Sequence, residues 1–324
     1  MRHLIEKLDG GTTGPNAFSG PIGSSLTGCE ELTIIKYVPV ELNNCPNLDG
    51  IELSTDQKYL YEICQAISSG EFPATLALQK PGPVVHSRWL TTANRILRLY
   101  ASSDCPSVNL VHLTTYIMKV YAPMWFNIKT KPFCMDGTRH LWMLIRLTRY
   151  LEPELRNVVD AVIQRNGYFG HPENILLAML TDTRQYVREL ACRRIISARN
   201  ECSSSKAVRK FCIPKLNFDA RDYIDIVRWQ DIDRHEPPLL KNVADNVLKE
   251  SVKSKSFDNL QIPRFPCHTQ GTEWCIRLVT QASATVTQAS ATVCGDERRD
   301  GFIRARLKSR NMMKKFESKF QFKL

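Results

Sequence analysis

The sequence predicts a mainly α protein with a short β and loop part at its N-terminus. Three observations carry that expectation. Between residues 53 and 200, apolar residues recur at helical spacing in segment after segment, most with a recognisable start or stop signal. One β-branched run of strand length, "LTIIKYVPV" (32–40), stands between stretches rich in Gly, Pro, Asn and Ser. Apolar residues make up 43% of the chain against 24% charged, the balance of a protein that folds around a core.

Residues 1–52 are expected to form loops around one strand or extended segment at 32–40. The helix at 53–70 is the best specified. Ser54 and Gln57 stand three apart as a capping box, each side chain satisfying a backbone donor that the helix start leaves open. Leu60, Ile63, Cys64 and Ile67 share a face, and Gly70 supplies the stop. In "PGPVVHSRWLTTANRILRLYAS" the prolines forbid a helix at the start, Val84 and Val85 suit a short strand, and a helix with Ile96, Leu97, Leu99 and Tyr100 on its apolar face follows. Further helices are expected at 108–129, broken near Pro123, then at 136–151, 153–166, 171–180 and 183–199. Pro153, Pro172 and Glu173 suit first helical turns. Beyond residue 200 the pattern weakens, with helices at 214–232 and 237–255 and an irregular stretch at 256–272. The organisation is a loop and strand part at 1–52, a helical domain at 53–200, a second helical and irregular region at 201–293, and a basic tail at 294–324. Inside the third region "TQASATV" occurs twice in tandem, at 280–286 and 287–293. One such repeat is too short and too polar for a coiled coil.

No stretch of 18 apolar residues occurs, so no membrane span is expected, and the N-terminus has no apolar core of signal-peptide length. The chain is expected inside the cell, in nucleus or cytoplasm. Its 11 cysteines are scattered, odd in number and without a Cys-x-x-Cys pair, which suits reduced thiols. Cys267, His268 and Cys275 lack the second close pair that a zinc site requires. Neither metal nor cofactor is expected. Of the formal charge of +11, the tail from Cys294 to Leu324 carries +6, from ten Lys/Arg against four acids.

Motifs for phosphate cradles, nucleophile elbows and helix-borne zinc pairs are absent. His112, His140 and His171 are far apart in sequence, as structural histidines are, and Cys134 near Asp136 and His140 lacks any further support as a thiol–base pair.

Several long segments, "LSTDQKYLYEICQAISSG", "RWLTTANRILRLY", "IMKVYAPMWFNIK", "HPENILLAMLTD" and "RDGFIRARLKSR", together resemble a repetitive, uncharacterised arthropod protein family. More distantly, Arg88-Trp89 at the head of a helix, after an extended run, resembles the Arg-Trp signature of hAT-type transposases. That resemblance implies an RNase H-like α/β domain with a helical insertion, in which three carboxylates hold divalent metal for phosphodiester chemistry, Mg²⁺ suiting such oxygen ligands. None of the acids ahead of Arg88 lies in a convincing apolar strand, and where the third acid would fall the chain has Gln281 and Gln288, with Glu273 and Glu297 as weaker substitutes. The expectation is therefore an N-terminally truncated, catalytically inactive copy, with no catalytic residues and no use for Mg²⁺ unless an intact core were present. The alternative is a helical interaction module with no nuclease ancestry. "PENILLAMLTDTRQYVRELACRRIISAR" has the form of a HEAT-type helix pair with an aspartate in its turn.

In the tail, Arg298, Arg299, Arg304, Arg306, Lys308, Arg310, Lys314 and Lys315 are the candidates for contact with nucleic acid. Binding through them would be weak, independent of sequence and strongly salt-dependent. Phe302, Ile303 and Leu307 form an apolar stripe that suits docking of residues 300–310 instead.

Overall fold

The computed structural model describes residues 1–10, 20–84, 89–130, 137–165, 167–201, 214–232 and 243–256. The mainly α expectation holds: the described residues contain helices and no strand, apart from one isolated antiparallel bridge between Leu216 and Val227. No described helix is long and apolar enough to cross a membrane. The chain forms two compact units. Among the described residues, one comprises those of Met1–Pro132 and Leu144–Val162, the other those of Phe133–Met143 and those from Ile163 onward.

The first unit begins with α1 (Arg2–Leu8) and the single turn α2 (Pro21–Ser25), where the sequence led us to expect loops. Neither has an apolar stripe long enough to read from sequence. Their fixation is tertiary. Leu4 and Ile5 are buried, and the Asp9 carboxylate accepts hydrogen bonds from the backbone N–H groups of Ile22 (2.8 Å) and Gly23 (2.6 Å), capping α2 from a distance. Residues 33–43 run without turn or bend as a strap. Ile35 N–H bonds to Ala101 O and Val40 N–H to Ile67 O, so the strap binds helix ends rather than another strand. Of the short strand expected at Val84 and Val85, Val84 is not in a strand and Val85 lies outside the described residues.

Helix α3 (Thr55–Ser69) has the predicted capping box of Ser54 and Gln57, and Gly70 ends it at φ +79°. After the short α4 (Ala74–Leu78) comes α5 (Trp89–Ala101), the centre of this unit: every residue from Thr91 to Ala101 is buried. Helix α3 packs along it. Helices α6 (Val108–Tyr116) and α7 (Ala122–Thr130) are joined through Ile117–Tyr121, a wide π-type turn in which Ala122 N–H reaches back five residues to Ile117 O. The break expected at Pro123 is thus a widened turn within a continuous helical run. Proline has no N–H to give the carbonyl four residues back, and the π turn accommodates that. Leu147, Leu155 and Val159 add buried side chains from parts of α8 (Gly137–Thr148) and α9 (Pro153–Arg165).

In the second unit, α10 (Pro172–Leu180) and α11 (Gln185–Glu201) form a helical hairpin, and α12 (Asp245–Ser254) packs on α11. Ile175 through Leu180 are all buried, and α11 turns Val187, Ala191, Cys192 and Ile195 inward. The helix expected at 214–232 is a correction. The segment is irregular, with single tight turns at Tyr223–Asp225 and Trp229–Asp231. Its mixture of acids and aromatics is spent on specific contacts: Asp222 caps a turn by accepting from Ile224 N–H, and Trp229 Nε1–H donates to Ile224 O at 2.6 Å. Of the helix expected at 237–255, residues 245–254 are helical and residues 237–242 lie outside the described residues.

Candidate functional site

Two polar constellations organise the described residues, one in each unit. In the first, α5 carries Arg95 and Arg98 one turn apart on its buried length, 5% and 3% exposed. Arg95 makes a two-point pair with Glu30, Nη1 to Oε2 at 2.6 Å and Nη2 to Oε1 at 3.1 Å, and donates further to the carbonyls of Gly82, Leu26 and Pro81. Burial would raise the Glu30 carboxyl, but the hydrogen bonds from Arg95 dominate and hold it below its ordinary range. Arg98 has no carboxylate. Its Nη2 donates to Ala77 O at 2.9 Å and, at longer range, to the carbonyls of Leu32 and Glu30, while the Phe72 ring lies 5.7 Å away. These two guanidinium groups fasten the loops at 26–32 and 77–82 to α5. Burial pushes the neighbouring Cys29 thiol up to about 11.

In the second unit the constellation sits at the turn between α10 and α11. Asp182 is 6% exposed and accepts from Arg184 through the backbone N–H (2.9 Å), Nε (3.0 Å) and Nη2 (2.9 Å), and from Tyr223 Oη at 2.5 Å. Arg184 extends through Nη1 to Asp222, so one guanidinium spans two carboxylates. Burial alone would raise the Asp182 carboxyl, yet the bonds from Arg184 and Tyr223 more than reverse this and hold it well below the usual range. Beneath them Arg188, 1% exposed, donates to the carbonyls of Asp182 and Thr183 and to Val252 O on α12. A buried cation placed on helix-terminal carbonyls uses the negative end of the helix dipole in place of an acid. Arg194 covers the Trp229 ring at 3.9 Å. Hairpin, irregular segment and α12 are thereby held together by side chains of α11.

Of the residues singled out from sequence, Trp89 is the first residue of α5 and half-buried. Arg88 lies outside the described residues, as do Cys134, Asp136, Cys267, His268, Cys275, the tandem repeat and the whole tail with Arg298 to Lys315. His140 and His171 are buried, on separate elements. Among the described residues no three His, Cys, Asp or Glu side chains converge as a metal site. Cys29, Cys45, Cys64, Cys105 and Cys192 are free thiols. Sequence reasoning missed Arg95, Arg98 and Arg188. Their one signal was position, since each falls among apolar neighbours on a helix otherwise bound for the core.

Comparison with protein-family models, with curated proteins and with solved structures finds no match.

Proposed function

We infer that the chain acts as a non-catalytic helical interaction module, and that the α10–α11 hairpin is its presenting element. The observation that carries this reading is the lock at the hairpin turn. Asp182, Arg184, Asp222 and Arg188 hold the two helices by charge-assisted bonds, so the outer face of α11 is rigid before any partner arrives. Preorganisation lowers the entropy cost of association. That face carries Tyr186, 60% exposed, and Arg193, exposed and two turns on. Tyrosine and arginine are the side chains that most often concentrate interface energy. The test is cross-linking of the full chain in extract from cells that express it, beside a Tyr186→Ala/Arg193→Glu variant with an unchanged helical circular-dichroism spectrum. A discrete cross-linked partner lost in the variant supports the reading, and identical cross-linking by both defeats it.

Descent from an hAT-type transposase is a second reading, with an RNase H-like part lost. Its support is the place of Trp89 at the first residue of α5, with residues 79–84 in no helix. Reading the genomic frame upstream of Met1 tests it: two strand-borne aspartates ahead of a Cys-x-x-His motif are expected, and noncoding sequence would count against descent.

A further inference from the structure

Helix α12 lies antiparallel along α11. At one end of their seam Arg188 Nε donates to Val252 O at 3.2 Å; at the other Arg199 Nη1 donates to Val243 O at 2.8 Å and to Asp245 Oδ1 at 2.7 Å. Between these ties, buried Cys192 of α11 and buried Leu248 of α12 stand in the facing rows. Each residue turns about 100° from the last, so the residue after a facing one lies on the flank of its helix. In two antiparallel right-handed helices these flanks fall on the same side of the seam. Arg193 follows Cys192, Lys249 follows Leu248, and both are exposed. Two cations therefore stand across from each other on one edge, with exposed Lys253 a turn further along α12. The Cys192 thiol between them feels both: burial raises it, the charge of Lys249 lowers it, that of Asp245 raises it, and those of Arg199 and Arg193 lower it.

The nearby carboxylates are engaged elsewhere. Asp245 holds Arg199, and Glu189, one turn before Arg193, accepts from Gln185 Nε2 at 2.8 Å. Among the described residues neither Arg193 nor Lys249 has an ion-pair or hydrogen-bond partner. Facing cations repel, and an anionic group placed between them turns that repulsion into attraction. A single carboxylate suits the place, since an arginine takes it at two points and a lysine as a point charge. A nucleic-acid backbone does not suit it. Glu189 and exposed Glu250 flank the two cations and would meet the neighbouring phosphates. We propose that this edge of the α11–α12 seam docks an acidic segment of a partner protein, with an Asp or Glu side chain entering between Arg193 and Lys249. The proposal gives the chemistry of the partner for the interaction module inferred above and rests on that reading. Tyr186, two turns before Arg193, lies further along the same face of α11.

A random peptide library displayed on phage is selected on the full chain in the presence of excess soluble Lys249→Glu chain, which removes peptides that bind anywhere else, the basic tail included. Lys249→Glu gives Arg193 an acid of its own and so closes the edge. The recovered peptides should be rich in Asp and Glu, and their affinity should fall at least about tenfold in Lys249→Glu. Arg193→Gln should weaken the same peptides, and it carries the test where Lys249→Glu fails to fold. Recovery of no peptide, or of peptides without acidic enrichment, overturns the proposal. Duplex DNA that loses affinity in Lys249→Glu also overturns it, in favour of nucleic acid. A cross-linked partner lost in Tyr186→Ala/Arg193→Glu beside a failed selection would keep the interaction module and remove only its acidic partner.

Discussion

Replacing Asp182 by alanine removes the acceptor on which the α10–α11 turn is built. The Tyr223 hydroxyl, on a side chain 6% exposed, loses its acceptor at 2.5 Å. A buried group left unsatisfied costs about 1–3 kcal/mol. The Arg184 backbone N–H loses its bond as well, worth about 1 kcal/mol. The Arg184 side chain, 34% exposed, regains water and keeps Asp222, so its share stays below about 1 kcal/mol. The expected total is about 3 kcal/mol for Asp182→Ala. Tyr223→Phe, which leaves the carboxylate its arginine, should cost about 1 kcal/mol. The two changes remove one shared bond, so the double variant should fall short of their sum by about 1 kcal/mol. Urea unfolding, followed by circular dichroism together with hydrogen exchange of peptides over 172–201, reads these differences while separating the two units. A cost below about 1 kcal/mol for Asp182→Ala, or strict additivity with Tyr223→Phe, would refute the account of the turn. The pH dependence has a definite sign. A carboxyl held below its ordinary 3.8 stabilises the fold above that pH, and the contribution drains away as pH falls toward the folded value. Wild type should therefore weaken more than Asp182→Asn on acidification below 3.8.

Four further outcomes are expected. Glu30→Ala leaves Arg95 buried without a counter-charge and should destabilise by about 3 kcal/mol in the same urea assay, since removing one partner of a buried pair strands the other. Gly70→Ala should cost about 1–2 kcal/mol, because its φ of +79° disfavours a side chain and the new Cβ would lie 3.0 Å from Pro39 Cγ; a neutral result would show that the strap yields. Timed alkylation with mass spectrometry should label exposed Cys105 before Cys29 and Cys64, both buried and with thiols pushed up by that burial. Duplex-DNA affinity of the full chain should exceed that of a chain ending at Asp300 at low salt and converge with it as salt rises; equal affinities throughout would remove the tail as a nucleic-acid element.

What could be read from sequence was whatever local chemistry decides. The Ser54 and Gln57 box and the stop at Gly70 define α3 at both ends, and the proline starts of α9 and α10 hold. The aspartate in the turn of the α10–α11 pair was visible too, though its partners were not. Tyr223 and Asp222 lie about forty residues away, and nothing in spacing joins them to Asp182. The failures share a cause. Helices α1 and α2 are short and held by distant groups such as Asp9. The segment at 214–232 has helix-compatible composition but gives its acids and aromatics to tertiary bonds. Strand propensity at 32–40 found no neighbouring strand, because the segment lies against helix ends.

The wide turn at Ile117–Tyr121 lets one extra residue pass without disturbing what lies on either side. Each residue in a helix advances the side chains by about 100°, so the surplus residue sets which way everything after it points. Take one residue out of 117–121 and Pro123 would fall inside a plain helix that it opposes, while Trp125, Phe126 and Ile128 would swing by that angle, away from the core they now fill. The insertion and the downstream apolar pattern are therefore one unit of inheritance: neither can change length alone. A chain carrying this proline-bearing run can be trimmed or extended in its loops, but along this helix its residue count is fixed.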